Sequence, residues 1–195
     1  MPTQTKTKAP RVKSPVAAAA YAWLARPDEG QQYSDGKYKV TLLLDKDDKD
    51  VKTWIKKLEA TSDEVATEHF NGKPKVLNYC WKDGDVIAEE KDKEEFAGKW
   101  LLVAKTKFRP GMVDCGSPPA SLTEGQEPAS GDLIRIAFVA VPYEAGGKKG
   151  VAAQLRTVQL VEKRNNGSEQ NDFESIDGGF TADGSASDDD DAEDF

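Results

Sequence analysis

Between Lys37 and Leu44 the chain alternates: Tyr38, Val40, Leu42 and Leu44 fall on one face, Lys37, Lys39 and Thr41 on the other. A two-residue period sends successive side chains to opposite faces, so this segment reads as a half-buried β-strand. The period then changes. Val51, Trp54, Ile55 and Leu58 stand at i, i+3, i+4 and i+7, one apolar stripe of an α-helix entered through the charged turn Asp45–Asp50. Thr61-x-x-Glu64 has the spacing of a capping box and predicts a second short helix through Phe70, broken at Asn71–Pro74. Lys75–Trp81 suits a short strand, followed by an Asp83-Gly84 turn and a charged loop to Gly98.

Three strong strand patterns follow. Lys99–Phe108 ends at Arg109-Pro110-Gly111, a turn sequence. Leu133–Val141 is almost continuously apolar, as expected of a strand buried on both faces, and comes after a Pro-, Gly- and Ser-rich loop over 116–131. Glu144–Gly150 reads as a hairpin connection to Val151–Val161, the last strand. Val16–Leu24 is Ala-rich and confined by Pro15 and Pro27, so a short helix and a strand both fit it, and Pro27–Gly36 reads as a loop. Five main strand candidates with one convincing helix, and no regular βα alternation, predict a mainly β barrel or sandwich.

Composition changes the picture at the two ends. Residues 1–15 carry Lys6, Lys8, Arg11 and Lys13 with little to bury, and are expected to be a flexible basic arm. Residues 165–195 are Gly-, Ser- and Asp-rich and are expected to be a disordered acidic tail. The net charge of −8 hides this division: 11 of the 35 acids and none of the 27 bases fall in 165–195, so residues 1–164 hold 24 acids against 27 bases, a net of +3. A slightly basic body tied to a strongly acidic tail suggests charge-mediated interaction.

Several function classes lose support. No stretch approaches the roughly 20 apolar residues that span a bilayer, and the N-terminal charges precede no apolar run of signal-peptide length. Cys80 and Cys115 have no CxxC spacing and read as reduced thiols, and with His69 the only histidine no metal site is expected. Asp45, Asp47, Asp48 and Asp50 invite a metal-dependent nuclease, but Lys49 and Asp50 stand where a calcium loop needs a ligand and its turn glycine. A solvated turn accounts for them better. Gly146-Gly147-Lys148-Lys149-Gly150 is a basic hairpin tip without a P-loop helix, and no hydrolase motif or Ser/His/Asp set is present. The sequence calls for no enzyme, cofactor or metal.

What remains is a constellation of aromatics and bases on β elements. Single-stranded nucleic acid is held by a positive groove that follows phosphates and by exposed rings on which bases stack. Lys105, Lys107 and Arg109 share one strand face next to Phe108; Arg135 and Arg156 point away from apolar neighbours, as do Lys37 and Lys39. Ordinary solvated strand positions explain the same bases equally well. Trp54, Trp100 and Phe138 read as core, whereas Tyr33, Tyr79, Trp81, Phe108 and Tyr143, nearer loops and strand ends, are the better stacking candidates. The tail ends in Asp188, Asp189, Asp190, Asp191, Ala192, Glu193, Asp194 and Phe195. An aromatic ring beside the terminal carboxylate suits a small apolar pocket rimmed by bases on a partner protein, with the acidic run steering it. The same run would compete with phosphate for a basic groove.

Ser14-Pro15-Val16, the Lys37–Leu44 strand, the Lys105-Thr106-Lys107-Phe108-Arg109-Pro110-Gly111 segment and the Phe-terminated acidic tail together resemble the single-stranded DNA-binding proteins of tailed bacteriophages. The resemblance spans roughly residues 10–162 plus the tail. It implies an OB-fold-like five-stranded barrel over residues 16–164, with one main helix and sequence-tolerant single-stranded DNA binding in phage replication, recombination and repair. It also implies a tail that recruits DNA polymerase and helicase-primase, a homodimer in some members, and residence in the cytoplasm of the infected host. On this reading Lys37, Lys39, Tyr79, Trp81, Lys105, Lys107, Phe108, Arg109, Arg135 and Arg156 contact DNA, while Asp188–Asp191, Glu193, Asp194 and Phe195 contact partners. The strong helix after the second strand candidate and the long 112–131 loop depart from an ordinary OB barrel. Two alternatives stand beside it: a metal-dependent nuclease, and an acidic-tailed chaperone or DNA mimic.

Overall fold

The computed structural model describes residues 10–30 and 34–164. Tyr33, the first nine residues of the arm and the whole acidic tail, with Asp188–Asp191, Glu193, Asp194 and Phe195, lie outside the described residues. The elements are β1 (Arg11–Lys13), β2 (Ala17–Trp23), β3 (Tyr38–Asp45), α1 (Lys49–Phe70), β4 (Trp81–Asp83), α2 (Gly84–Lys91), a 3-10 turn (Glu94–Phe96), β5 (Lys99–Thr106), β6 (Gly111–Val113), β7 (Leu133–Ala145) and β8 (Lys148–Glu162).

The protein is mainly β, and five of its strands close on one another. β2 pairs with β3, β3 with β5, β5 with β8, β8 with β7, and β7 again with β2. All of these are antiparallel except β5–β8, which is parallel and short: only Ala104↔Ala153 and Lys105↔Gln154 pair. The alternation read from the sequence points inward. Val40, Leu42 and Leu44 of β3 are fully buried with Leu102 and Ala104 of β5, Ile134, Ile136 and Phe138 of β7, and Leu155 and Val158 of β8.

β2 resolves the Ala-rich segment as a strand. Ala17 and Ala19 are buried in a strand paired with β3 on one side and β7 on the other, and this tertiary setting overrides alanine's preference for helix. α1 covers the ring with Val51, Ile55 and Leu58, and Trp54 meets Phe138 edge-on, ring centroids 6.4 Å apart. Asp48 caps the helix, accepting from the N–H groups of Asp50 and Val51. The break expected at Thr61 does not occur. Ser62 and Ala66 continue the buried stripe, and the Ser62 hydroxyl donates to the Leu58 carbonyl at 2.7 Å, so α1 runs unbroken to Asn71 in the left-handed conformation.

Three further segments differ from expectation. Residues 11–13, assigned to a flexible arm, pair with Ala137–Val139 of β7, and the Trp54 indole donates to the Lys13 carbonyl at 2.8 Å. The strand expected over 75–81 is reduced to β4 and one bridge at Asn78, because residues 78–80 share their backbone bonds between two strands. Asn78 bonds Lys149 and Val151 of β8, and the Cys80 carbonyl accepts from Val103 of β5. The loop expected after Asp83 contains α2, capped by Asp83. Gly84 starts that helix against backbone, since a Cβ there would lie 2.2 Å from the Phe96 carbonyl oxygen and 2.4 Å from that of Lys99. No helix among the described residues is long and apolar enough to cross a membrane.

Candidate nucleic-acid interface

Around the two-residue pairing of β5 with β8, residues 79–80, 105–108 and 151–154 line a groove of about 670 Å³. Lys37, Lys82, Lys105 and Lys107 line it, and among the described residues no acid does. Strand alternation places Lys105: it is exposed between buried Ala104 and Thr106. Just after β5 the Phe108 N–H bonds Thr106 Oγ1 at 3.3 Å, and the Phe108 ring is left 78% exposed at the groove. Tyr143 of β7 also lines the groove; its ring lies over Gly150, its cross-strand partner, where a Cβ would meet it at 2.6 Å.

Tyr79 is fixed from behind. Its hydroxyl donates to Asp63 of α1 at 2.9 Å and its ring stacks on Trp81 at 4.4 Å. Burial, then the Asp63 carboxylate, push the phenol up to about 12, so it stays a protonated donor at neutral pH. The thiol of Cys80, beneath the groove, is likewise pushed up to about 12 by burial.

Of the ten positions singled out by sequence, the structure brings Lys37, Tyr79, Lys105, Lys107 and Phe108 together in the groove. Asp35 faces two of them, 2.9 Å from the Lys105 ammonium and 3.9 Å from that of Lys37. The other five are placed elsewhere. Lys39 is paired with the buried Asp28, and Arg109 with Glu127 at 2.8 Å. Arg156 occupies a register shift in β8 and donates to Gln154, itself a groove residue, at 2.8 Å. Arg135 is half-buried on β7 opposite Gln159. Trp81 stands behind Tyr79 and lines a neighbouring recess. Lys82 is the groove lysine that sequence reading missed. It lies one residue past a strand expected to end at Trp81, and only its pairing opposite Leu101 brings it to the groove.

Three of the four acids of the nuclease alternative are otherwise engaged: Asp48 caps α1, Asp45 pairs with Lys99 at 2.7 Å, and Asp47 lies 3.9 Å from Lys52; Asp50 stands in the first turn of α1. Among the described residues no group of three or more His, Cys, Asp or Glu could hold a metal ion.

A family model described as the ssDNA-binding protein of Enterobacter phage Enc34 matches residues 11–192. No curated protein sequence matches the chain. Among solved structures, the single-stranded DNA-binding protein from bacteriophage Enc34 in complex with ssDNA superposes with a TM-score of 0.66 at 24% identity, over 81% of this chain and 89% of that one. A C-terminal truncation of the same phage protein gives 0.64 at 25% identity, over 80% and 87%. The single-stranded DNA-binding protein gp2.5 of bacteriophage T7 gives 0.59 at 19% identity, over 85% and 98%.

Proposed function

The chain belongs to the phage single-stranded DNA-binding protein family represented by that of Enterobacter phage Enc34, and from this premise we propose that it binds single-stranded DNA, without sequence preference, along the groove between β5 and β8. The observation that carries the reading is Phe108. A phenyl ring 78% exposed in a groove lined by four lysines is poorly placed for folding and well placed to stack a base. Lys37, Lys82, Lys105 and Lys107 neutralise phosphates; Phe108, Tyr143 and Tyr79 offer ring faces that accept any base. Lys39, Trp81, Arg109, Arg135 and Arg156 form the surrounding surface; Lys39 and Arg109 are held by Asp28 and Glu127, and within the groove Lys105 must exchange Asp35 for phosphate, which leaves Lys82 and Lys107 as the readier contacts.

We read the five-strand ring as an OB-like barrel and the protein as a non-enzymatic coat for single strands during phage DNA replication, recombination and repair in the host cytoplasm. The acidic tail, through Asp188–Asp191, Glu193, Asp194 and Phe195, recruits replication proteins such as polymerase and helicase-primase. It also competes with phosphate and supports a homodimer. Its eleven acids and terminal Phe support this part of the reading by their chemistry.

Anisotropy titration of labelled oligo-dT across a range of salt tests the proposal. Affinity is expected to fall steeply, with a slope of about 0.7 per phosphate neutralised, because binding releases counterions. Affinity independent of salt, or equal affinity for duplex, would refute it.

A further inference from the structure

A second aromatic recess, of about 370 Å³, adjoins the groove at Tyr79, which lines both. Its other walls are Trp81 of β4, Trp100 of β5, and Lys52, Lys56 and Glu59 from α1. Lys52 and Lys56 are exposed and one helical turn apart, so they share the face that looks onto the recess. Tyr79 and Trp81 are stacked at 4.4 Å with 29° between their planes, both indoles of the recess pack in part against the core, and the Lys46 ammonium lies 4.5 Å from the Trp100 ring centroid. Since Tyr79 lines the groove and Trp81 the recess, the pair is a wall between them, held from α1 by the Asp63 bond.

We propose that this recess is a second nucleotide subsite. A strand leaving the groove rounds Tyr79 and sets a base against Trp81 and Trp100, while its phosphates meet Lys52 and Lys56. The proposal rests on the groove being the DNA path. Continuity through Tyr79 favours the same single strand over an acidic peptide, which would have no reason to share a wall with the groove. Stacking on the two indoles and neutralisation by two lysines are the chemistry of single-strand binding repeated on a helical face. Glu59 opposes phosphate there, so its neutralisation strengthens binding.

The test uses the full chain and an oligo-dT 20-mer carrying 5-iododeoxyuridine. Irradiation is expected to cross-link peptides containing Trp81 or Trp100 besides the Phe108 peptide. The double variant Lys52→Ala/Lys56→Ala is expected to bind about tenfold more weakly, with its salt slope reduced by about 1.4, and Glu59→Gln to bind more tightly. Cross-links confined to groove peptides, or an unchanged slope in the double variant, overturn the subsite. So does a double variant that keeps its DNA affinity but loses binding of a poly-aspartate peptide. Failure of the groove reading is distinguishable, because the unsubstituted chain would then not bind the oligonucleotide at all, and the subsite would fall with it.

Discussion

Phe108 is where local sequence and tertiary placement meet. Lys107-Phe108-Arg109 reads as an aromatic among bases, and in the fold the ring stands in solvent just past the end of β5, its N–H bonded to Thr106 Oγ1, while Leu101 and Leu102 within the strand are buried. A ring so exposed contributes little to folding. Phe108→Ala is therefore expected to leave Tm within about 1–2 °C, since surface substitutions stay within about ±0.5 kcal/mol. It should weaken oligo-dT binding by about 1–3 kcal/mol, roughly five- to 150-fold, in the same anisotropy titration. Arg109 shows the limit of reading residues singly. On a strand face it counts as a phosphate contact, yet Glu127, eighteen residues away, holds it.

At the scale of elements, positions with no apolar periodicity decide how pieces join. α2 was not legible because it buries little beyond Gly84, and no stripe marks it. Gly84 is legible only in the fold, pressed against the carbonyls of Phe96 and Lys99. Gly84→Ala forces backbone apart and is expected to cost about 3 kcal/mol, a fall in Tm of roughly 6–12 °C by calorimetry. Ion pairs supply other joints. Hydrogen bonds from Lys39, Lys105, Lys99 and Lys46 hold Asp28, Asp35, Asp45 and Asp85 respectively below the usual carboxylate range. Burial pushes Asp63 up, but bonds from Lys73 and Tyr79 outweigh it and leave it lowered as well. A folded pKa below the unfolded value of about 3.9 stabilises the fold at pH above that value, and the contribution is lost as pH falls through the folded pKa. Tm should therefore change little from about pH 7 to pH 5 and drop below about pH 4. A Tm that rises on acidification to pH 3 would contradict these assignments.

At the scale of the whole molecule, the net charge of −8 is the sum of a +3 body and an acidic tail of 11. If the tail competes with phosphate, truncation after Arg164 should tighten single-strand binding, most at low salt where screening is weakest, and should abolish capture of replication partners. Weaker binding by the truncated chain, measured beside the full chain, would contradict the competition. By itself the sequence determined the charge division, the β class, the apolar stripe at the start of α1 and the Lys105–Phe108 half of the groove. Those follow from local periodicity and composition, which act on neighbouring residues. Only the tertiary structure decided that β2 is a strand, that Lys82 and Tyr143 join Lys37 and Lys105, and that Lys39 and Arg109 are held by carboxylates. Each depends on which strand pairs with which and in what register. The groove lies where β5 and β8, more than forty residues apart in sequence, pair in parallel for only two residues.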